Sequence, residues 1–153
     1  MLKKVGAISL LAAVLAAVLA SGVYAAGVDS ALITRPEGSS AFEGDESALL
    51  AKGEQLWNDK SLSKKGKTAC SSCHKTDTKM FKTTFLEAYP HKVKMVNKKA
   101  KLDSITTEGM VQFCMIVPMK SEPLSWDSEE LAALTAYSSQ VVQKKYIEAK
   151  AAK

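Results

Sequence analysis

The chain has 153 residues, of which 24% are charged, and a formal net charge of +5. This length suits one domain with one hydrophobic core and excludes an assembly of several large domains. The sequence contains no internal repeat and no low-complexity block.

The first 25 residues are typical of an export signal. Lys3 and Lys4 precede an apolar run over residues 5–20, and the small-residue pattern Val23-Tyr24-Ala25 follows it. We expect residues 1–25 to be removed and the mature protein to reside in the periplasm. An uncleaved run would instead anchor the chain, because the uncharged stretch is long enough to span a bilayer. Export in either form argues against nucleic acid as a partner.

Charge is unevenly distributed along the chain. Between Lys60 and Lys101 there are twelve lysines and two acidic residues, a net charge of +10, and the segments on both sides are net acidic. We call residues 60–101 the basic block. Such a block attracts an acidic protein surface or a small anion. Its alternative role is that of a solvated face that keeps the protein soluble.

Residues 26–44 are rich in turn residues and have little periodicity, so we expect a linker or a wrapped arm. A first helix is predicted from Asp45 to Asn58, with Asp45 as its N-cap. Gly53 lies in the middle of this helix, where glycine costs about 1 kcal/mol relative to alanine. We therefore expect another helix to approach Gly53 closely.

The most specific motif is C-S-S-C-H at residues 70–74. Two thiols about one helical turn apart can add to the two vinyl groups of a haem, and the following histidine can ligate its iron. We predict one covalently attached haem c, bound by Cys70 and Cys73, with His74 as the proximal ligand. The alternatives are a redox dithiol, which needs a βαβ context, a zinc site that also recruits Cys114, and a strained Cys70–Cys73 disulfide.

Two further helices are predicted after this motif. Residues 106–117 form one that stops before Pro118, with Met110 and Cys114 on its apolar stripe. A methionine and a cysteine on such a stripe are more often core residues than ligands. The last helix begins at the D-x-x-E capping box of residues 127–130 and continues with leucines at helical spacing.

The order of these elements resembles class I cytochromes c. The likeness covers about residues 46–146 and rests on the Gly-x-x-Leu-aromatic helix, the C-x-x-C-H motif and the capped last helix. It implies an all-α fold in which a single domain, residues 45–153, packs its helices around one haem. It also implies that Gly53 packs against the last helix near Tyr137.

The sixth ligand of the iron has several candidates. In class I cytochromes c a methionine ahead of the last helix takes this position, and Met119 has the matching spacing to the glutamates at 129–130. Met110 and Met115 are its rivals. A thioether ligand raises the reduction potential and suits an electron carrier. An open site, or one filled by His91, is a further alternative, although the lysine-rich surroundings of His91 predict a surface residue.

A narrower set of motifs resembles the haem domain of SoxA, the cytochrome subunit of the thiosulfate-oxidising SoxAX complexes. The motifs are Tyr89-Pro90, VQFC at 111–114, EPLSWDSEEL at 122–131 and ALTAY at 133–137. The resemblance implies that Cys114 ligates the iron and accepts sulfur, often as a persulfide. It also accounts for an unpaired third cysteine in an exported protein.

The chain departs from the SoxA pattern in three respects. It has one haem motif, whereas many SoxA proteins carry two haem domains. Lys120 stands near the position of an arginine that is typical after the family's cysteine, and lysine lacks the guanidinium fork that binds an oxyanion. The spacing from Cys114 to Glu122-Pro123 is about one residue longer. These departures affect the catalytic site more than the domain itself.

Three functions are therefore weighed. The first is a periplasmic electron carrier, in thiosulfate oxidation or as a methionine-ligated carrier unrelated to sulfur, that meets redox partner proteins through the basic block. The second is a SoxA-like L-cysteine S-thiosulfotransferase subunit. It would form a sulfur adduct on Cys114 from a small anionic sulfur substrate and work with a second small cytochrome subunit and a sulfur-carrier protein. The third is a ligand-binding haem protein with an open distal site.

Overall fold

The computed structural model describes residues 27–74 and 81–152, which fold into α-helices and short turns. The six α-helices are α1 (Glu46–Asn58), α2 (Cys70–Cys73), α3 (Lys94–Ala100), α4 (Thr107–Ile116), α5 (Glu129–Tyr137) and α6 (Lys144–Ala151). Short 3-10 turns cover Ser30–Leu32, Lys60–Leu62 and Thr83–Leu86, and a π-helical segment, Ser138–Gln143, joins α5 to α6. The described residues form no sheet, and an isolated bridge pairs His91 with Ile105. The predicted all-α fold is confirmed.

The capping residue predicted for the first helix is confirmed, and the one predicted for the last helix is wrong. The Asp45 carboxylate accepts from the Ala48 amide at the start of α1, as expected. Thr106 caps α4 in the same way. The last helix differs, because its N-cap is Ser128 and not Asp127. The carboxylate of Asp127 accepts instead from the Ser125 hydroxyl, which leaves the cap to the Ser128 hydroxyl.

Helix α1 packs against α5, and Gly53 lies at the point of closest approach. A Cβ atom added at Gly53 would lie 2.3 Å from the carbonyl oxygen of Ala133 and 2.5 Å from Cβ of Tyr137. Only a hydrogen atom fits in this space, which explains the mid-helix glycine. The packing of Gly53 near Tyr137 is as the class I resemblance implied.

The N-terminal arm, residues 27–44, packs on α4. Ile33 is 1% exposed and belongs to a core cluster with Val96, Ile105 and Phe113. Its carbonyl approaches α4 so closely that a Cβ at Gly109 would lie 2.4 Å from it. The apolar side chain of the arm therefore completes the core between α3 and α4.

An ion pair holds the next part of this arm. Arg35 donates to both carboxylate oxygens of Glu108, at 3.1 and 2.6 Å, and its guanidinium lies 5.2 Å from the ring centre of Trp126. A third donor of Arg35, Nη1, binds the carbonyl of Ser40 at 2.9 Å. One side chain thus connects the arm to α4 and to the loop before α5.

The π-helical segment aligns the buried face of the last helix. Ser138 and Gln143 are five residues apart, a spacing that would separate them by about 140° in a regular α-helix. A π segment absorbs one residue, which reduces the separation to about 40°. Ser138, Gln143 and Tyr146 are all buried as a result.

No helix in residues 27–74 or 81–152 is both long and apolar enough to cross a membrane. The predicted export signal, residues 1–25, lies outside the described residues. The division into an arm and a domain beginning at residue 45 stays a prediction.

Candidate haem site

A cavity of about 860 Å³ lies among α1, α2, α3, α4 and α5. Its walls are mainly apolar, with Trp57 from α1, Val111 from α4 and Leu134 from α5 among the contributing side chains. The volume falls in the range that encloses cofactors and drug-sized ligands. All three residues of the predicted haem motif, Cys70, Cys73 and His74, border this cavity.

The haem motif forms a single helical turn. Cys70 and Cys73 are the first and last residues of α2, and the His74 amide donates to the Cys70 carbonyl at 2.9 Å. Ser72 fixes the start of the turn, because its hydroxyl accepts from the Ala69 amide at 3.0 Å. The turn therefore brings two thiols and an imidazole to one cavity wall.

Burial favours the neutral forms of these groups. Desolvation lowers the pKa of His74, which keeps its imidazole neutral and able to ligate a metal. Desolvation also raises the pKa of Cys70 to about 11. The Nδ1 atom of His74 is buried and has no hydrogen-bond partner in the described part of the chain. Such an unsatisfied ring is typical of a site shaped for a ligand.

These residues fit a haem c. Two thiols one helical turn apart would match the two vinyl groups, His74 would supply a proximal ligand, and the apolar walls suit a macrocycle. When bound, haem supplies one-electron redox chemistry. The protein's own contribution is to hold the group, exclude water from it and provide the ligands.

Several candidates for the sixth ligand border the same cavity. Cys114 and Met110 reach it from α4, and Met119 reaches it from the turn after α4. Met115 borders it as well. Met119 is 5% exposed, so its thioether is removed from water. The cavity thus contains both the cysteine and the methionine that the sequence indicated.

Burial also favours the neutral form of the Cys114 thiol. Desolvation raises its pKa to about 12, and the neighbouring Cys70 and Cys73 add to the effect. Cys70, Cys73 and Cys114 form no disulfide with one another. Among the described residues, no three His, Cys, Asp or Glu side chains are arranged to hold a metal ion. The ligand set that the zinc alternative requires is therefore not assembled.

His91 is not the surface residue that its lysine-rich surroundings predicted. It is 8% exposed and borders the cavity. Its backbone pairs with Ile105 through hydrogen bonds of 3.3 and 3.0 Å, and its ring lies 4.1 Å from that of Tyr89. The prediction was wrong because tertiary pairing with a segment fourteen residues later buries the ring.

The cations of the cavity were also missed. Lys82, Lys94 and Lys98 border it, whereas Lys120, the cation singled out from the sequence, is exposed and lies elsewhere. A signal was present, because Lys94 and Lys98 are four residues apart and share one face of a helix. The pair was missed because Lys94 and Lys98 are only two of the twelve lysines of the basic block.

An aromatic wall closes the side of the cavity next to His74. Phe81 stacks on the His74 ring at 4.3 Å and on Phe85 at 4.1 Å. The π segment holds the loop that carries these rings. The Gln143 side-chain amide donates to the carbonyls of Phe85 and Glu87 at 3.0 and 2.9 Å. No local pattern indicates this aromatic wall, because its support by Gln143 depends on the rotation produced by the π segment.

Comparison with known proteins identifies the family. A family model described as the SoxA/TsdA cytochrome c domain matches residues 52–145. No curated protein and no solved structure matches the chain. The matched residues include the haem motif, Cys114, Met119 and the helices that surround the cavity. Because the match covers more than half of the sequence, the chain belongs to the SoxA/TsdA cytochrome c domain family.

Proposed function

We propose that this protein is a periplasmic monohaem cytochrome c that transfers electrons in the oxidation of sulfur compounds. The family is a cytochrome c domain, which implies haem c and electron transfer. The observation that carries the sulfur assignment is the position of Cys114. A free, partly buried thiol shares one cavity with the haem motif, where an electron carrier of the ordinary kind needs no cysteine.

We further propose that Cys114 is the distal ligand. A buried thiol has a raised pKa, and coordination to iron is the interaction that favours its deprotonated form. Met119 lies in the same cavity and is the alternative. The two ligands differ in charge, because a thiolate stabilises the ferric state and a thioether favours the ferrous state.

Paired substitutions test the ligand. The variants are Cys114→Ala and Met119→Leu, with Met115→Leu added because Met115 borders the cavity, is similarly buried and is a rival ligand. We expect a low-spin ferric thiolate signal in electron paramagnetic resonance spectra that only Cys114→Ala abolishes. Loss of the low-spin signal in Met119→Leu, with an unchanged spectrum in Cys114→Ala, would refute the proposed ligand.

A second function is favoured by the same thiol. In the SoxA-like reaction, the sulfane sulfur of thiosulfate is joined to a thiol with the loss of two electrons and one proton. One haem accepts one electron at a time, so a redox partner must remove the first before the second arrives. A chain with one haem motif would therefore work with a second cytochrome, and a carrier protein would receive the sulfur.

Mass spectrometry tests this second function. Protein purified from cells that oxidise thiosulfate is digested without reductant, and the peptide containing Cys114 is weighed. A mass increase equal to S2O3, or to one sulfur atom where water has since released the sulfonate group as sulfate, supports the enzyme if dithiothreitol reverses it. An unmodified thiol throughout turnover would restrict the protein to electron transfer.

The basic block suits an acidic partner surface. Its net charge of +10 includes the cavity lysines, so an acidic protein would be drawn toward the edge of the haem site. The rate of electron transfer to such a partner should then fall as salt is added, because screening shortens the range of the attraction. A rate that is independent of ionic strength would leave the block as a solvated surface.

Location and haem attachment are tested directly. Cell fractionation with N-terminal sequencing should give a periplasmic protein that begins after Ala25. A pyridine haemochrome assay on denatured protein should give one haem per chain that organic extraction does not remove. Loss of this haem in Cys70→Ala and Cys73→Ala would follow from thioether attachment.

A further inference from the structure

The charged residues that border the haem cavity are all positive. Lys82, Lys94 and Lys98 contribute to its edge, and no aspartate or glutamate among the described residues does so. Lys94 and Lys98 lie one turn apart on the same face of α3. Two of the three cations that border the apolar cavity therefore come from α3.

Lys94 and Lys98 form no ion pair with a carboxylate of the described residues. Arg35, Lys52 and Lys92 each form an ion pair with an acidic side chain. Within residues 27–74 and 81–152, by contrast, no carboxylate lies within ion-pair distance of Lys94 or Lys98. An unpaired ammonium group at the edge of an apolar cavity suits the anionic group of a ligand inside it.

His91 adds a buried imidazole to the same edge. It precedes α3 by three residues, and its Nε2 atom is buried without any hydrogen-bond partner in the described residues. Its Nδ1 lies 3.3 Å from the Ala88 carbonyl, which can only accept, so Nδ1 carries a proton. The ring is fixed by Tyr89 and by the backbone bridge to Ile105. A buried nitrogen held in this way needs a partner from the ligand.

A haem offers the matching groups. It is an apolar macrocycle whose two vinyl groups would be taken by Cys70 and Cys73, and its remaining polar groups outside the iron are two propionate carboxylates. Helix α3 borders the same cavity as α2, although its own core contacts are with α4 and the arm. The cavity thus borders both the two thiols and the lysines of α3.

We infer that His91, Lys94 and Lys98 bind the propionate carboxylates of the haem. The lysines act as charged donors at the rim, and the buried Nε2 atom of His91 is the third polar group available to the carboxylates. The assignment rests on the haem c of the proposed function. The competing source of the same oxyanion chemistry is a free sulfur oxyanion, which the cations could bind instead.

The holoprotein variants Lys94→Gln and Lys98→Gln test the assignment. Lys99→Gln is the matched control, because Lys99 lies on α3 but does not border the cavity. We expect the resonance Raman bending bands of the propionates to shift in the first two variants only. We also expect their reduction potential to fall, because a carboxylate without its cation favours ferric over ferrous iron. Unchanged bands and potential in both variants would overturn the assignment.

Two further measurements separate the alternatives. Thiosulfate is titrated into each holoprotein variant and followed by absorption. A tenfold weaker Kd in Lys94→Gln with unchanged propionate bands would assign the cations to a free oxyanion and overturn the proposal. His91→Phe should shift the propionate bands and keep the low-spin spectrum, whereas a high-spin spectrum would make His91 an iron ligand and likewise overturn it.

Haem content is measured first in every variant. A wild-type chain without covalently bound haem would count against the proposed function. Spectra recorded only on haem-loaded protein test the propionate assignment, so the two failures are distinguishable.

Discussion

The contact between α1 and α5 predicts that Gly53→Ala destabilises the protein. Helix propensity alone predicts the opposite, a gain of about 1 kcal/mol, because alanine is the better helix former. The added methyl group, however, would lie 2.3 Å from the Ala133 carbonyl oxygen and 2.5 Å from Cβ of Tyr137. Neither atom is the end of a flexible side chain, so the two helices must separate.

The size of the effect follows from these opposing terms. Overpacking a close contact costs typically about 1–3 kcal/mol, and contacts this short belong at the upper end. After subtraction of the propensity gain, Gly53→Ala should lower the free energy of unfolding by about 1–2 kcal/mol. The expected fall in Tm is about 4 °C per kcal/mol for a domain of this size.

Guanidinium unfolding of the holoprotein measures this change. Gln55→Ala is the matched control, because it also places alanine on α1 but at an exposed position, where a change within about 0.5 kcal/mol is expected. Gly53→Ser should be at least as destabilising as Gly53→Ala. A Gly53→Ala protein as stable as the wild type would refute the packing argument, since propensity would then have outweighed the contact.

Three further predictions concern other contacts. Ser128→Ala should lower the free energy of unfolding by about 1 kcal/mol in a denaturant titration, because the Ser128 hydroxyl caps α5. The same loss in Asp127→Ala, with none in Ser128→Ala, would instead identify Asp127 as the cap. A double-mutant cycle between Arg35 and Glu108 should give a coupling energy of about 1 kcal/mol, and zero coupling would mean that their bidentate pair is fully screened. Gln143→Leu should cost about 1–3 kcal/mol, since two loop carbonyls lose their donor, and hydrogen exchange should localise the change to the 83–87 loop.

Local sequence signals predicted the scaffold and one side of the site. The N-cap of α1, the end of α4 before Pro118 and the haem motif each depend on residues within a few positions of one another. Gly53 also indicated a close contact with another helix, because a mid-helix glycine is otherwise unfavourable. Signals of this kind depend only on neighbouring residues, so the sequence alone is enough to predict these features.

The remaining features depend on distant parts of the chain. His91 is buried by pairing with Ile105, and the lysines of α3 border the cavity because Val96 anchors that helix in the core. The buried position of Gln143 depends on a π segment, which no periodicity of 3.6 residues predicts. In each case the local pattern pointed to a solvated residue, and tertiary packing changed the result.

The distal side of the haem site gives a last prediction, because its two main candidates are physically linked. The Met119 amide donates to the Cys114 carbonyl at 3.2 Å, and both side chains border one cavity. We therefore expect Met119 to replace Cys114 as ligand in Cys114→Ala, with a low-spin haem of higher reduction potential, since a neutral thioether replaces an anionic thiolate. Redox titration of Cys114→Ala and of Cys114→Ala/Met119→Leu measures this. A high-spin haem in Cys114→Ala would refute this prediction, because it would show that Met119 does not replace Cys114 as the ligand.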